Sequence, residues 1–286
     1  MKLLFHKYHG TGNDFILVDN REGNIHLSSE DIAWLCNRHL GIGADGLMFL
    51  TSEAVYDFGM KYFNSDGNES TMCGNGGRCV TAFARSLGLI EKYARFIAVD
   101  GEHQSEILKT EGTAGWIRLK MMDIAKSKIE HHTSKIIINT GSPHLVVLRD
   151  RVRETDVVAE GRKLRFDPQF APDGINVDFV EVRDNGLFVR TYERGVENET
   201  LSCGTGVTAA ALAVAHEYAG AGGSSVTSGI QHPASAINIE TPGGLLKVRF
   251  TQTEASFTNI WLEGPAEFVF KGEINVRKPK PSTNDQ

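Results

Sequence analysis

Cys73-Gly74-Asn75-Gly76 opens an alanine-rich apolar stretch, and 130 residues later Cys203-Gly204-Thr205-Gly206 opens a second. Outward from this pair, three more landmarks recur in the same order. Thr11-Gly12-Asn13 before an apolar run matches Thr140-Gly141-Ser142, with the glycines 129 apart. Asp45-Gly46 matches Asp173-Gly174 at 128, and Lys61-Tyr62-Phe63-Asn64 matches Arg190-Thr191-Tyr192-Glu193 at 129. One such match is weak, because Gly and Asp-Gly are common in turns. Four collinear matches within two residues of one offset point to a duplicated unit. β-rich apolar runs fill both halves: 3–8, 15–18, 47–50 and 60–63, then 136–138, 177–182, 187–192, 236–239 and 246–250. Each half also has one helical stretch, 76–87 and 206–218, apolar on nearly every side, as a buried helix is. The expected fold is α/β of the α+β kind, with two pseudo-symmetric domains. Each is a curved, mostly antiparallel sheet wrapped around a central helix. Smaller helices are expected over 29–39, capped by Ser29 and ended by Gly41, and near 156–163. Residues 219–235 read as a loop, and the end from Lys278 as a disordered tail.

With 286 residues, 41% of them hydrophobic and 23% charged, the chain has an ordinary globular composition and enough length to bury a core. A net charge of −6 leaves no broad basic face for nucleic acid or an anionic membrane. Leu3-Leu4-Phe5 is too short for the apolar stretch of about 7–15 residues in a secretory signal, and no run approaches the ~18 of a membrane span. The expected location is the cytoplasm. Four cysteines (Cys36, Cys73, Cys79 and Cys203) make no disulfide framework in a chain this long, and their spacing fits neither a zinc ribbon nor Cys-X-X-Cys. No metal is expected. Cys36 and Cys79 read as core.

A thiol at a helix start meets unpaired N–H groups and partial positive charge, which lower its pKa into the range of roughly 3.5–7.5. The glycines let the backbone approach an anion such as a carboxylate. Either motif alone fits a packing thiol, a redox centre or a phosphate cradle. A symmetric pair fits chemistry on both faces of one atom: a thiolate removes a proton from the α-carbon of an amino acid, and a thiol opposite returns one. No signature for pyridoxal phosphate or nicotinamide occurs, and the first motif lacks the Lys of a P-loop.

These residues resemble the diaminopimelate epimerase family along nearly the whole chain. The resemblance rests on Gly10-Thr11-Gly12-Asn13-Asp14-Phe15, the stretch from Asn37 to Gly46, Phe63-Asn64-Ser65-Asp66-Gly67 and the first cysteine motif through Cys79. In the second half it rests on Gly141-Ser142-Pro143-His144, Gly174-Ile175-Asn176, Tyr192-Glu193-Arg194-Gly195 and the second cysteine motif. It implies a cofactor-independent enzyme interconverting LL- and meso-diaminopimelate for lysine and peptidoglycan synthesis. Cys73 and Cys203 would be the acid/base pair. Asn13, Asn64, Gly74, Asn75, Asn176, Glu193, Arg194, Gly204 and Thr205 would hold the substrate, and His144 and Glu193 would bias the thiols. It also implies a homodimer, a last strand around Phe268 to Phe270 that returns to the first domain, and a division into 1–122 with 265–286 against 123–264. Many members carry Gln where this chain has Gly46 and Asn where it has Ser142; the Gly46 contact does not carry over, while Ser142 can still donate a hydrogen bond, at shorter reach. The related proline racemase class, which shares paired cysteines, and a non-catalytic or redox-sensing member of the fold are the alternatives.

Overall fold

A computed structural model describes residues 1–132, 135–220 and 236–276. The first half runs β1 (Lys2–Gly10), β2 (Asn13–Asp19), α1 (Ser29–Cys36), β3 (Gly46–Thr51), β4 (Phe58–Asn64), β5 (Glu69–Ser70), α2 (Gly74–Ser86), β6 (Tyr93–Ala98), β7 (Gly101–Glu111) and β8 (Ala114–Lys120). Two short strands follow, β9 (Ile124–Ala125) and β10 (Glu130–His132). The second half is β11 (Lys135–Asn139), β12 (Pro143–Leu148), α3 (Val157–Arg165), β13 (Asn176–Arg183), β14 (Gly186–Glu193), β15 (Asn198–Thr200), α4 (Gly204–Gly220), β16 (Ala236–Thr241), β17 (Gly244–Gln252) and β18 (Ser256–Asn275).

The pairing repeats strand for strand. In each half the second strand lies parallel to the third, the third antiparallel to the fourth, and the fourth parallel to the sixth. The sixth, seventh and eighth form an antiparallel meander. β18 serves both sheets. Its first part lies on β17, and its continuation lies on β8 and then along β1, with Phe268 opposite Tyr8 and Phe270 beside Lys7. Register also corrects the repeat. Gly46 pairs with Phe15 as Asn176 pairs with His144, so the counterpart of Gly46 is Asn176, not Gly174.

Inside each curved sheet runs one helix. α2 packs on β1, β2, β3, β7, β8 and β18, and α4 on β11 to β14 and β16 to β18. Val207 to Val214 are all buried, and their side chains join those of Phe15, Phe83 and Leu262 in a core continuous across both halves. α1 and α3 cover the outer faces instead, over separate clusters built on Leu3, Ile16 and Leu47 and on Leu145, Val177 and Phe179. Ser28, not Ser29, caps α1, through a capping box with Asp31, and the helix stops at Cys36. Asp156 caps α3. Both central helices begin at the glycine after the cysteine, two residues earlier than expected, so each cysteine sits at the helix mouth. α4 runs through Gly220; the rest of the expected loop, 221–235, and the expected tail lie outside the described residues.

The two mouths meet head to head. A Cβ on Gly74 would lie 3.4 Å from Gly204 Cα, and one on Gly204 only 3.2 Å from Gly74 Cα, with Leu262 Cδ2 at 3.1 and 3.0 Å. The contact has room for hydrogen and little else. Gly204→Ala should therefore push the helix starts apart by a few tenths of an ångström. A full ångström of misplacement costs catalysis roughly a hundredfold, so this smaller shift should lower turnover about tenfold. A loss of that size with a melting temperature within a few degrees of wild type is the expected result, measured by turnover and thermal unfolding.

Candidate active site

On the first side, Cys73 caps α2 in an extended conformation, with no side-chain cap to occupy the free N–H groups. Its thiol donates to Asn13 Oδ1 at 3.6 Å. Asn13 is held in turn: its amide donates to Asp45 Oδ2 at 2.6 Å, and its carbonyl accepts from Asn75 Nδ2 at 3.2 Å. Arg38 bridges Asp45 and Asp14, and Lys7 pairs with Asp14 and reaches Gly43 O. Burial pushes the Asp14 carboxyl up, but hydrogen bonds from Arg38 and Lys7 prevail and hold it at about 2. Asn75 also donates to Ser202 O at 2.9 Å, which ties the first mouth to the residue before Cys203. Beneath it, the fully buried Arg78 donates to Asn75 Oδ1, Gly74 O and Pro265 O, and burial lowers its pKa to about 10.

On the second side a buried polar chain reaches the other thiol. Thr191 Oγ1 donates to Asp178 Oδ1 at 2.7 Å, and Asp178 Oδ2 lies 2.7 Å from His144 Nδ1. His144 Nε2 lies 2.9 Å from Thr205 Oγ1, which is 3.4 Å from Cys203 Sγ. With Asp178 accepting from Nδ1–H, the neutral ring accepts from the Thr205 hydroxyl, and that hydroxyl accepts from the Cys203 thiol. A protonated ring reverses the order, and the Thr205 hydroxyl then donates to a thiolate. The two sides are thus alike in scaffold and unlike in lining. By register, His144, Asp178 and Thr191 stand where the first half has Phe15, Met48 and Tyr62.

Of the expected residues, Asn13, Cys73, Gly74, Asn75, His144, Cys203, Gly204 and Thr205 are linked by these contacts. Asn176 is beside them, but its amide is committed within the protein: it donates to Ser142 Oγ and Pro143 O and accepts from the Arg194 backbone N–H. It fixes the Arg194 backbone. Asn64, exposed, ends β4 opposite Gly46. Asp45, Asp178 and Arg78 are the supports that sequence reading missed. Asp178, an acid on the inward face of the largely apolar run 177–182, was the available signal, since a charge buried in a strand needs a partner.

The fold is one shared with other solved structures. A phenazine biosynthesis protein of the PhzF family from Bacillus anthracis superimposes with a TM-score of 0.70 at 17% identity, covering 96% of this chain and 100% of its own. A hydroxyproline epimerase from Agrobacterium vitis, with bound trans-4-hydroxy-L-proline, does so at 0.65 and 16%, covering 97% and 94%. The class is thus the two-half fold of PhzF-type and proline-racemase-type proteins. Sequence narrows it. The diaminopimelate epimerase family model matches residues 5–125 and 136–269. Diaminopimelate epimerase from Flavobacterium psychrophilum is 46% identical over 280 residues, 96% of this chain and 100% of that one. The Chlorobaculum tepidum enzyme of the same name is 38% identical, covering 93% and 99%. The chain belongs to the diaminopimelate epimerase family.

The electrostatics run against the sequence expectation. Both thiols are raised, not lowered, and Cys203 well above its ordinary value. Burial is the first cause at each. At Cys73 the N–H groups of Gly76 and Asn75 pull down, and at Cys203 the Thr205 hydroxyl and the Gly206 N–H do, but none outweighs burial. The charge on Glu193 raises both thiols, and burial raises Glu193 itself. Three acidic groups therefore compete for one buried space, and the protonated thiol is the resting form of both cysteines. Alkylation of Cys73 by iodoacetamide, followed by mass spectrometry, should be slow at pH 7 and still rising at pH 9–10. A plateau reached below pH 8 would show the helix-start N–H groups outweighing burial.

Proposed function

We propose that this chain interconverts LL- and meso-2,6-diaminopimelate without a cofactor, for lysine and peptidoglycan synthesis. The observation that carries the reading is the head-to-head meeting of two cysteine-tipped helix starts in a chain of this family. A tetrahedral carbon placed across that meeting presents one face to each sulfur. One cysteine, as thiolate, takes the α-proton and becomes a thiol. The other gives its proton to the opposite face and becomes the thiolate. The stereocentre inverts, and the proton count on the protein is unchanged. Backbone N–H groups of Gly74-Asn75 and Gly204-Thr205 hold the reacting carboxylate, where negative charge builds as the α-proton leaves.

The substrate supplies what the resting site lacks. An ammonium entering beside Glu193 offsets its charge, which adds to burial in raising both thiols, so a thiolate becomes more accessible when substrate is present. On the second side, Asp178 and His144 set the direction of the Thr205 hydroxyl on Cys203. Asn13 does the same for Cys73, and Asn64, Asn176 and Arg194 belong to the wall for the far end of the substrate. The lobes 1–122 with 265–286 and 123–264 close on the substrate and exclude water. The working form is a cytoplasmic homodimer; among the described residues no helix is long and apolar enough to cross a membrane.

Cys73→Ser and Cys203→Ser should each lower epimerisation of LL-diaminopimelate by at least a hundredfold, with far-UV circular dichroism unchanged. Near wild-type turnover in either variant would favour the redox-sensing reading. Proline turned over faster than diaminopimelate would favour the racemase reading.

A further inference from the structure

Tyr62 lies on β4 two residues before Asn64, and its ring occupies the space that a side chain at Gly46 would need. A Cβ on Gly46 would meet Tyr62 Cε2 at 2.5 Å and the phenol oxygen at 3.1 Å. Gly46 pairs across the sheet with Asn64, and Met48 with Tyr62, so the ring leans along the strand and delivers its hydroxyl beside Asn64. The far edge of the ring rests on Phe15, with the planes at 82°.

The residue is 9% exposed, yet its hydroxyl has no hydrogen-bond partner among the described residues. The other two buried tyrosines differ. Tyr8 donates to Ser86 and Tyr192 to Glu197. Pseudo-symmetry explains the orphan. The counterpart of Tyr62 is Thr191, whose hydroxyl is satisfied by Asp178; the counterpart of Asp178 is Met48, which offers no comparable acceptor. The counterpart of Gly46 is Asn176, whose amide braces the Arg194 backbone in the second half. Tyr62 thus brings a polar group to the place in the first half that Asn176 fills in the second. Burial above all keeps the phenol neutral, so it remains a donor. The ring is buried but the hydroxyl oxygen is not, so it is reachable and free to donate to a ligand.

We propose that Tyr62 is a substrate-binding, specificity-determining residue, whose hydroxyl donates a hydrogen bond to the carboxylate at the end of diaminopimelate that is not being inverted. This rests on the function proposed above. The reacting carboxylate has the backbone N–H groups of both helix mouths; the second must find side-chain donors, and the Tyr62 hydroxyl is one.

The test is Tyr62→Phe, which keeps the ring over Gly46 and removes only the oxygen. A lost hydrogen bond to a charged group weakens binding roughly tenfold or more, so KM for LL-diaminopimelate should rise about that much while kcat changes less than threefold. Lysine is the same chain without the second carboxylate, and its inhibition constant against diaminopimelate should stay within twofold of wild type. An unchanged KM overturns the proposal. Equal weakening of diaminopimelate and lysine overturns it too, because the contact would then be to the shared end. Wild-type protein with no activity on diaminopimelate would instead remove the function reading, a failure visible before any variant is made.

Discussion

Gly74 and Gly204 approach so closely that neither can carry a side chain without moving the other, and this contact fixes where the two cysteines stand. Because each cysteine immediately precedes its glycine at the mouth of a buried helix, the position of one thiol is tied to the position of the other. The surrounding sheets exist to hold that meeting. Each wraps one helix, β18 runs through both, Asn75 reaches across to Ser202, and Arg78 holds β18 at Pro265. Side chains of both halves share one continuous core, so separating the mouths would also disturb apolar packing.

Duplication supplies two similar scaffolds, but two-base chemistry needs two groups that differ in protonation. The linings provide the difference. Around the start of α4, His144, Asp178 and Thr205 form a polar chain to Cys203 that can run in either direction. Around the start of α2, Phe15 and Met48 stand at the register positions of His144 and Asp178, and Cys73 leans on Asn13 instead. Both thiols are raised by burial, so the site rests in a protonated form, and in the proposed function an incoming cation is what releases a thiolate. Such a site keeps its thiols less reactive between turnovers than freely exposed thiolates would be.

Much of the scaffold could be read from spacing. The cysteine motifs and the landmarks between them gave the duplication, and the alanine-rich stretches gave the central helices. The strands β6 to β8 were less visible, because β7 carries polar or charged residues at most positions and only its middle is buried. The cap of α1 was misread by one residue, since Ser28 and Ser29 are both able to serve and only the reciprocal bond with Asp31 decides. The contacts of the candidate site were readable where a motif held them: Cys73 with Asn13 and Asn75, and Cys203 with Thr205. The direction of the thiol shifts was not, because a helix mouth favours the thiolate and burial opposes it, and burial is a tertiary property. Tyr62 was hidden for a similar reason. In the sequence it is one aromatic in a strand; only register shows that it leans over a glycine.

The central claim is that the two sulfurs act on opposite faces of one carbon, and isotope exchange tests it most directly. With LL-diaminopimelate turned over in deuterated water, two bases require label in the α-carbon of the meso product before it accumulates in recovered substrate. Label appearing early in unconverted LL-diaminopimelate would mean that a single group removes and returns the proton on the same face, and would contradict the account.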